Sequence, residues 1–431
     1  MAPGAAERPK ADAGEPDSAL RARIEPLVRD GWAGAVSVAI VTKTAIDFAS
    51  VGEARPGIAA GPDTPFEIGS ITKTFTALAL AAMAEEAAVT FETPVAELLG
   101  AKVPAKGGRA ITLVDLATHT SGLPRLPAPF EPKDPRDPYA DYDDAKLLGF
   151  LASHELSRIP GERYEYSNLG AGLLGHALGK RAGTTFAALV RTRITGPLGM
   201  TTTDDATPAI GHDADGNAVP PWTFAALAGA GAMRSTARDL ARYVRAHLTP
   251  ASVEPAALAR AIAATHVRRH DAGPGGIALG WHLRADGTYW HNGETGGSHG
   301  FVAFDPGAGV GIVILASGAT NVIDAVGLEL LAHAKGQRAI GSSIPPTVRL
   351  DPSVLDRYVG TYRVDPSFAI AVTRIGERLF AQATGQPRLG LYAEAEDRFY
   401  LRAVEAKVVF RHDALVLQQS GSETVARREV P

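Results

Sequence analysis

Ser70 and Lys73 stand three positions apart at the head of an apolar run, 76–84. In a helix that spacing puts both side chains on one face. A helix N-terminus favours negative charge developing near the serine oxygen. A lysine in a dry cleft loses its proton and can act as the base that activates the serine. A second cluster, Tyr166-Ser167-Asn168, offers a phenol that a neighbouring cationic lysine would acidify for proton shuttling. Its asparagine is able to hold a substrate amide; a core tyrosine and a turn-forming asparagine are the plainer explanation. The third cluster, His291-Asn292-Gly293, closes the strand-like run 288–291, where a glycine lets a substrate backbone come close. The backbone N–H of Glu294, paired with that of Ser70, would then form an oxyanion hole. Taken singly these patterns are weak: chance alone supplies roughly 0.4 Ser-x-x-Lys, 0.1 Tyr-x-Asn and 1.3 His-x-Gly in such a chain.

Stepping outward, the elements that must carry these groups are legible from periodicity. Asp17 or Ser18 can cap a helix reaching about Asp30, with Leu20, Ile24 and Leu27 on one face. Strand patterns follow at 35–41 and 45–51, then a mostly helical stretch from Thr72 to about Leu248. Strand patterns return at 277–283, 288–291, 300–304 and 309–316, before a helix over 322–334. Early and late strands around a helical middle predict one antiparallel sheet assembled from both ends of the domain. The loop 124–138 holds six prolines and is too long for a mere connector; it reads as a lid or cleft wall, or else a rigid surface loop. Residues 339–352, with Gly341-Ser342-Ser343 and Pro345-Pro346, form a linker. Short alternating runs at 360–364, 369–373, 379–383, 398–403, 407–411 and 414–418 then predict a small β-barrel or sandwich. The expected domains are a loose N-terminal tail (1–18), a catalytic domain (19–338), the linker (339–352) and a β domain (353–431).

Composition narrows the chemistry. The chain has 431 residues, 45% hydrophobic and 21% charged, with a formal net charge of −4. That is ordinary globular material, and without a basic excess nucleic acid and acidic membranes are unlikely partners. Cysteine is absent, which excludes disulfides, Cys-zinc sites, iron–sulfur clusters and thiol nucleophiles. No run of ~20 apolar residues is available to span a membrane. The N-terminus lacks the apolar core of a signal peptide, so a cytoplasmic protein is expected by default, or a periplasmic or secreted one after removal of a leader. No cofactor and no metal are expected, and the expected partner is a small-molecule or peptide substrate.

In this order and spacing the three clusters resemble those of the serine hydrolases that unite penicillin-binding proteins, class C β-lactamases and related esterases and peptidases. Supporting segments are Thr118-His119-Thr120-Ser121-Gly122-Leu123-Pro124, residues 231–236, and 291–297 running into Phe304-Asp305-Pro306. Residues 355–420, with Tyr358-Val359-Gly360-Thr361-Tyr362 and Thr384-Gly385-Gln386-Pro387, look like the lipocalin-like domain that follows some members. The resemblance implies an α+β fold, an antiparallel sheet flanked by helices plus a helical subdomain, followed by a small all-β barrel. It further implies that Ser70 attacks a carbonyl to give an acyl-enzyme, with Lys73 and Tyr166 relaying the proton and Tyr166 as base for deacylation. Asn168, His291, Asn292 and Gly293 would hold the substrate, and the N–H groups of Ser70 and Glu294 the oxyanion. His291 stands where most β-lactamases of this kind carry lysine, and a histidine is only partly charged near neutrality. The implied substrates are therefore D-amino-acid-containing peptides or esters ahead of β-lactams. Acyl transfer, or peptide cyclisation by a thioesterase of the same kind, is the alternative outcome of the acyl-enzyme; a penicillin-binding sensor without turnover is the alternative from another class.

Other motifs have plainer explanations. Gly170-Ala171-Gly172-Leu173-Leu174-Gly175 fits a dinucleotide fingerprint, but the polar segment 162–168 before it is no apolar strand; small residues for close helix packing account for it. No Gly-x-Ser-x-Gly elbow surrounds any serine. His154-Glu155 lacks the second histidine of a zincin. His119 and His299 have no ligand-like spacing, with His299 lining the cleft or supporting a turn, and Thr236 with Asp239 reads as a helix cap.

Overall fold

The computed structural model describes residues 18–204, 206–337, 343–419 and 421–429. The expected tail, apart from Ser18, and part of the expected linker (339–342) lie outside the described residues.

An eight-stranded antiparallel sheet forms the centre of the larger unit. In chain order its strands are β1 (Ala35–Thr42), β2 (Ile46–Arg55), β3 (Ile58–Ala59), β4 (Gly276–Ile277), β5 (His282–Leu283), β6 (Tyr289–Glu294), β7 (His299–Asp305) and β8 (Val310–Ala316). Their spatial order is β4-β5-β6-β7-β8-β1-β2-β3. β1 pairs with β8 from Val36↔Ala316 to Thr42↔Val310, so the sheet is indeed built from both ends of the domain. The run expected at 277–283 is two short strands instead. It breaks at Gly280, whose positive φ of 71° is a left-handed conformation, and a Cβ there would lie 2.8 Å from the Ala77 Cβ and 2.9 Å from the Lys73 carbonyl. The turn thus rests on the helix that follows Ser70.

The two-residue period of the strands sorts their side chains into two cores. Ala35, Ala39, Val41, Val302, Phe304, Val313 and Leu315 face the helical middle of the chain. Val36, Val38, Ala49, Val51, Phe301, Ala303, Ile312 and Ile314 face the opposite way. There they meet Leu20, Ile24 and Leu27 of the helix Ser18–Arg29 and Ile323, Val326 and Leu330 of the helix Val322–Ala334. Both helices match their sequence expectations. Covering both faces explains why β7 and β8 are nearly continuous in hydrophobicity rather than alternating.

Beyond the linker, eight antiparallel strands close into a barrel, running from Gly360–Asp365 to Ser422–Arg428. Two strands escape sequence reading: Arg388–Ala393, interrupted by Gly390, and the closing strand Ser422–Arg428, in which Ala426 alone is buried. The barrel is fastened to the larger unit. Arg402 is sandwiched between Trp32 and Tyr392, at 4.2 and 3.6 Å from their ring centroids. Its guanidinium donates to the carbonyls of Gly31 and Asp30. Tyr400 stacks on Trp32 with ring centroids 5.2 Å apart. The Arg378 guanidinium, the Tyr392 hydroxyl and the Gly390 N–H donate to Asp215 O, Ala214 O and Asp215 Oδ1. Among the described residues, no helix is long and apolar enough to cross a membrane.

Candidate active site

Ser70 sits in the single 3₁₀ turn Gly69–Ile71 that runs directly into the helix Thr72–Glu85. That helix is buried from Thr72 to Met83, so polar groups at its start need partners. Segment 229–233 supplies them: Thr76 Oγ1 donates to Gly229 O at 2.7 Å, Lys73 Nζ to Ala230 O at 2.7 Å, and Met233 N to Thr72 Oγ1 at 3.1 Å. Lys73 Nζ lies 2.8 Å from Ser70 Oγ. Its ammonium pKa is pushed well below the ordinary lysine value, first by burial and then by the charge of Arg125. The amine beside the serine is thus poised to be neutral.

Tyr166 reaches the same point from the helical side. His119 holds its loop: Ser167 N donates to His119 Nδ1 at 3.1 Å and Glu165 N to His119 O at 2.8 Å. Ser167 also caps the helix Asn168–Ala182, accepting from Gly170 N at 2.8 Å, and donates to Pro124 O at 2.6 Å. Lys73 Nζ stands 4.9 Å from the centroid of the Tyr166 ring, and Tyr166 and Ser70 line the same cavity. The acidified phenol expected from sequence is overturned. Burial raises the Tyr166 pKa, outweighing the influence of Ser70 and the charge of Arg125, and burial also disfavours the charged form of the lysine expected to acidify it. Asn168 Nδ2 donates to the Tyr139 hydroxyl at 3.1 Å, while its Oδ1 is buried without a partner among the described residues.

The third cluster lies on β6, pressed against the Ser70 turn. A Cβ on Gly293 would come 1.9 Å from Ile68 O and 2.7 Å from Ser70 N, and one on Gly69 would come 2.6 Å from Glu294 N. Two glycines facing each other therefore let the backbones of Ser70 and Glu294 approach closely. His291 is buried behind this edge. Its Nδ1 lies 2.5 Å from Asn292 O, its Nε2 has no partner among the described residues, and burial first and then the neighbouring His282 and Lys73 push its pKa well down. Burial thus favours the neutral form over the partly charged imidazole expected here. Asn292 Nδ2 donates to Asp324 Oδ2 at 2.6 Å, and His299 Nε2 lies 2.7 Å from Asp324 Oδ1. His299 is thus an anchor of this corner.

Ser70, Tyr166, Asn168, Asn292, Gly293 and Glu294 line one cavity of about 700 Å³; Lys73 and His291 lie just beneath its surface. Its walls include residues that sequence reading passed over. Arg125 and Leu126 come from the proline-rich loop, which is a cleft wall, and Tyr139 directly follows it. His282 comes from β5, paired with Trp290 beside His291, and burial lowers its pKa to about 4. Arg402 and Ala403 come from the barrel. Only the flag on the 124–138 loop pointed to any of these. The dinucleotide-like glycines serve packing: a Cβ on Gly172 would strike Leu227 at 2.6 Å and one on Gly175 would meet Gly229 Cα at 2.8 Å. Thr236 caps its helix by accepting from Asp239 N at 3.1 Å. Among the described residues no group of three His, Asp or Glu side chains could hold a metal ion.

Comparison with known proteins places the chain in a family. A family model described as Beta-lactamase matches residues 20–335. A second, described as a domain of unknown function (DUF3471), matches residues 345–415. The D-alanyl-D-alanine-carboxypeptidase/endopeptidase AmpH of Escherichia coli (strain K12) is 32% identical over 213 residues, 47% of this chain and 54% of that protein. The chain thus spans about half the length of that relative. A Beta-lactamase of Pseudomonas fluorescens is 27% identical over 68% of this chain and 91% of its own. Penicillin-binding protein 4* of Bacillus subtilis (strain 168) is 26% identical over 84% of this chain and 87% of its own.

Proposed function

Because the chain belongs to the β-lactamase family, whose members are serine hydrolases, we propose that it cleaves an amide or ester through an acyl-enzyme on Ser70. The observation that carries the reading is the buried, deprotonation-prone Lys73 amine 2.8 Å from Ser70 Oγ. A neutral amine accepts the serine proton as Oγ attacks the carbonyl. The tetrahedral oxyanion falls between the N–H groups of Ser70 and Glu294. Tyr166, its phenol kept protonated by burial and lining the cavity with Ser70, relays the proton to the leaving group. Water then releases the acyl group, with Lys73 taking the base role that a phenolate would otherwise fill.

The unpartnered Asn168 Oδ1 supports a substrate bearing an amide N–H, which it would accept. Buried, neutral His291 offers no cation to a carboxylate at the third cluster, which supports peptide or ester substrates, D-amino-acid-containing peptides among them, ahead of β-lactams. The test is a mass-spectrometric screen of D-Ala-D-Ala peptides, D-aminoacyl amides, p-nitrophenyl esters and cephalosporins on wild type and Ser70→Ala. An acyl adduct and turnover, both abolished in Ser70→Ala, are expected; turnover unaffected by the substitution would refute the nucleophile. An adduct that persists without turnover of any substrate would instead make the protein a sensor, and product appearing only with an added amine or alcohol would make it a transferase.

A further inference from the structure

We infer that Arg125 is the anion-recognising residue of this cleft and that the preferred substrates carry a carboxylate; the inference rests on the hydrolase reading of the same site. Arg125 lies one residue past the Ser121-Gly122-Leu123-Pro124 turn, and its carbonyl accepts the N–H groups of Asn168 at 3.0 Å and Leu169 at 3.2 Å. Its backbone is therefore fixed to the loop that carries Tyr166. Its side chain is exposed and lines the cavity with Ser70, its guanidinium 5.2 Å from the centroid of the Tyr166 ring. Among the described residues that guanidinium has neither an ion pair nor a hydrogen bond.

The other candidate cations of the cleft are unavailable. Lys73, His282 and His291 all have their charged forms disfavoured by burial. Arg402 is committed to two backbone carbonyls and two aromatic faces. The strand wall carries the half-exposed carboxylate of Glu294, which repels an anion. A permanent planar cation with free donors, held on an aromatic face beside the nucleophile, suits a bidentate carboxylate. Its charge opposes protonation of both Lys73 and His119, so neither group competes with it for an anion. An anion is therefore bound on the helical wall rather than at the third cluster.

The test has a binding arm and a kinetic arm. In titration calorimetry, glutarate should bind Ser70→Ala, and adding Arg125→Gln should weaken it roughly 10- to 100-fold, the range for a lost charge-assisted hydrogen-bonded contact. Equal binding to both proteins, or no binding to either, overturns the proposal. Kinetically, the kcat/KM ratio of p-nitrophenyl glutarate monoester to p-nitrophenyl valerate should fall at least tenfold in Arg125→Gln and less in Arg125→Lys. A ratio unchanged by Arg125→Gln overturns the charge recognition while leaving the Ser70 reading intact. Ester turnover that survives Ser70→Ala refutes the acyl-enzyme on Ser70, and the glutarate titration still decides the role of Arg125.

Discussion

Gly293→Ala is the most direct test of the catalytic geometry. The new methyl carbon would sit 1.9 Å from Ile68 O, 2.7 Å from Ser70 N and 2.9 Å from Ile71 N. All three are backbone atoms and cannot swing aside as a flexible side chain would. Relief requires β6 and the Ser70 turn to part by about 1 Å, and a displacement of that size at reacting atoms costs about 100-fold. Loss of one oxyanion donor costs about 10²–10³ in kcat, or roughly 3–4 kcal/mol on the barrier. The two estimates coincide because they describe one event, Glu294 N moving away from Ser70. The assay is steady-state hydrolysis of p-nitrophenyl acetate alongside near-UV circular dichroism and a thermal melt, so that loss of fold is separated from loss of geometry. Gly69→Ala attacks the same contact from the other side, 2.6 Å from Glu294 N, and should match it. Gly149→Ala, in a helix with nothing within 4 Å of the new carbon, should leave turnover alone and add about 0.5–1 kcal/mol of stability. A folded Gly293→Ala protein with kcat within threefold of wild type would refute the reasoning.

Lys73 must be neutral to act, so activity should fall as pH drops through its lowered pKa; Arg125→Gln, by removing a charge that opposes protonation, should move that acid limb of a kcat/KM profile to higher pH. His266 is held at about pH 4 by burial and its Nε2 lies 2.8 Å from the Nδ1 of buried His247. The unfolded chain protonates this imidazole near 6.5, so the unfolded state holds more protons between the two values. Stability is therefore full above about 6.5 and is lost as pH falls towards 4, by about 3 kcal/mol for this group. Urea unfolding at pH 7.5 and 4.5 should show a smaller acid loss in His266→Gln. Arg402→Met should cost about 3 kcal/mol in calorimetry, through loss of its charged hydrogen bonds to Gly31 and Asp30, and should expose the 343–360 region to limited proteolysis. Ala403→Trp should narrow the barrel side of the cleft, raising KM for p-nitrophenyl decanoate at least fivefold more than for the acetate.

What could be read from the chain was whatever is set locally. Ser70 and Lys73 share a face because the helix period dictates it, and the strands that bury both faces announce themselves as apolar runs. Arg125, His282 and Arg402 meet only through tertiary packing between the proline-rich loop, β5 and the barrel, so no spacing in the sequence joins them. Charge state is hidden from sequence for the same reason. Tyr166 beside a lysine reads as an acidified phenol, but desolvation acts on both groups and depends on burial that only the folded chain supplies. The closing barrel strand 422–428 was invisible because its side chains point mainly to water, and backbone pairing such as Tyr362↔Arg428 holds it in place.

The position of β1 in the sheet carries a cost in folding. Its neighbour towards the sheet edge, β2, follows at once, but its inner neighbour is β8, with Val36 opposite Ala316. Such a distant pairing must close a very long loop before it gains anything, which slows folding. During synthesis the β1–β2 hairpin therefore waits with one apolar edge unpaired while the whole helical middle is made. A nascent chain halted before residue 310 presents that edge to any other strand it meets. Half-made chains, more than finished ones, should be the form of this protein that needs a chaperone.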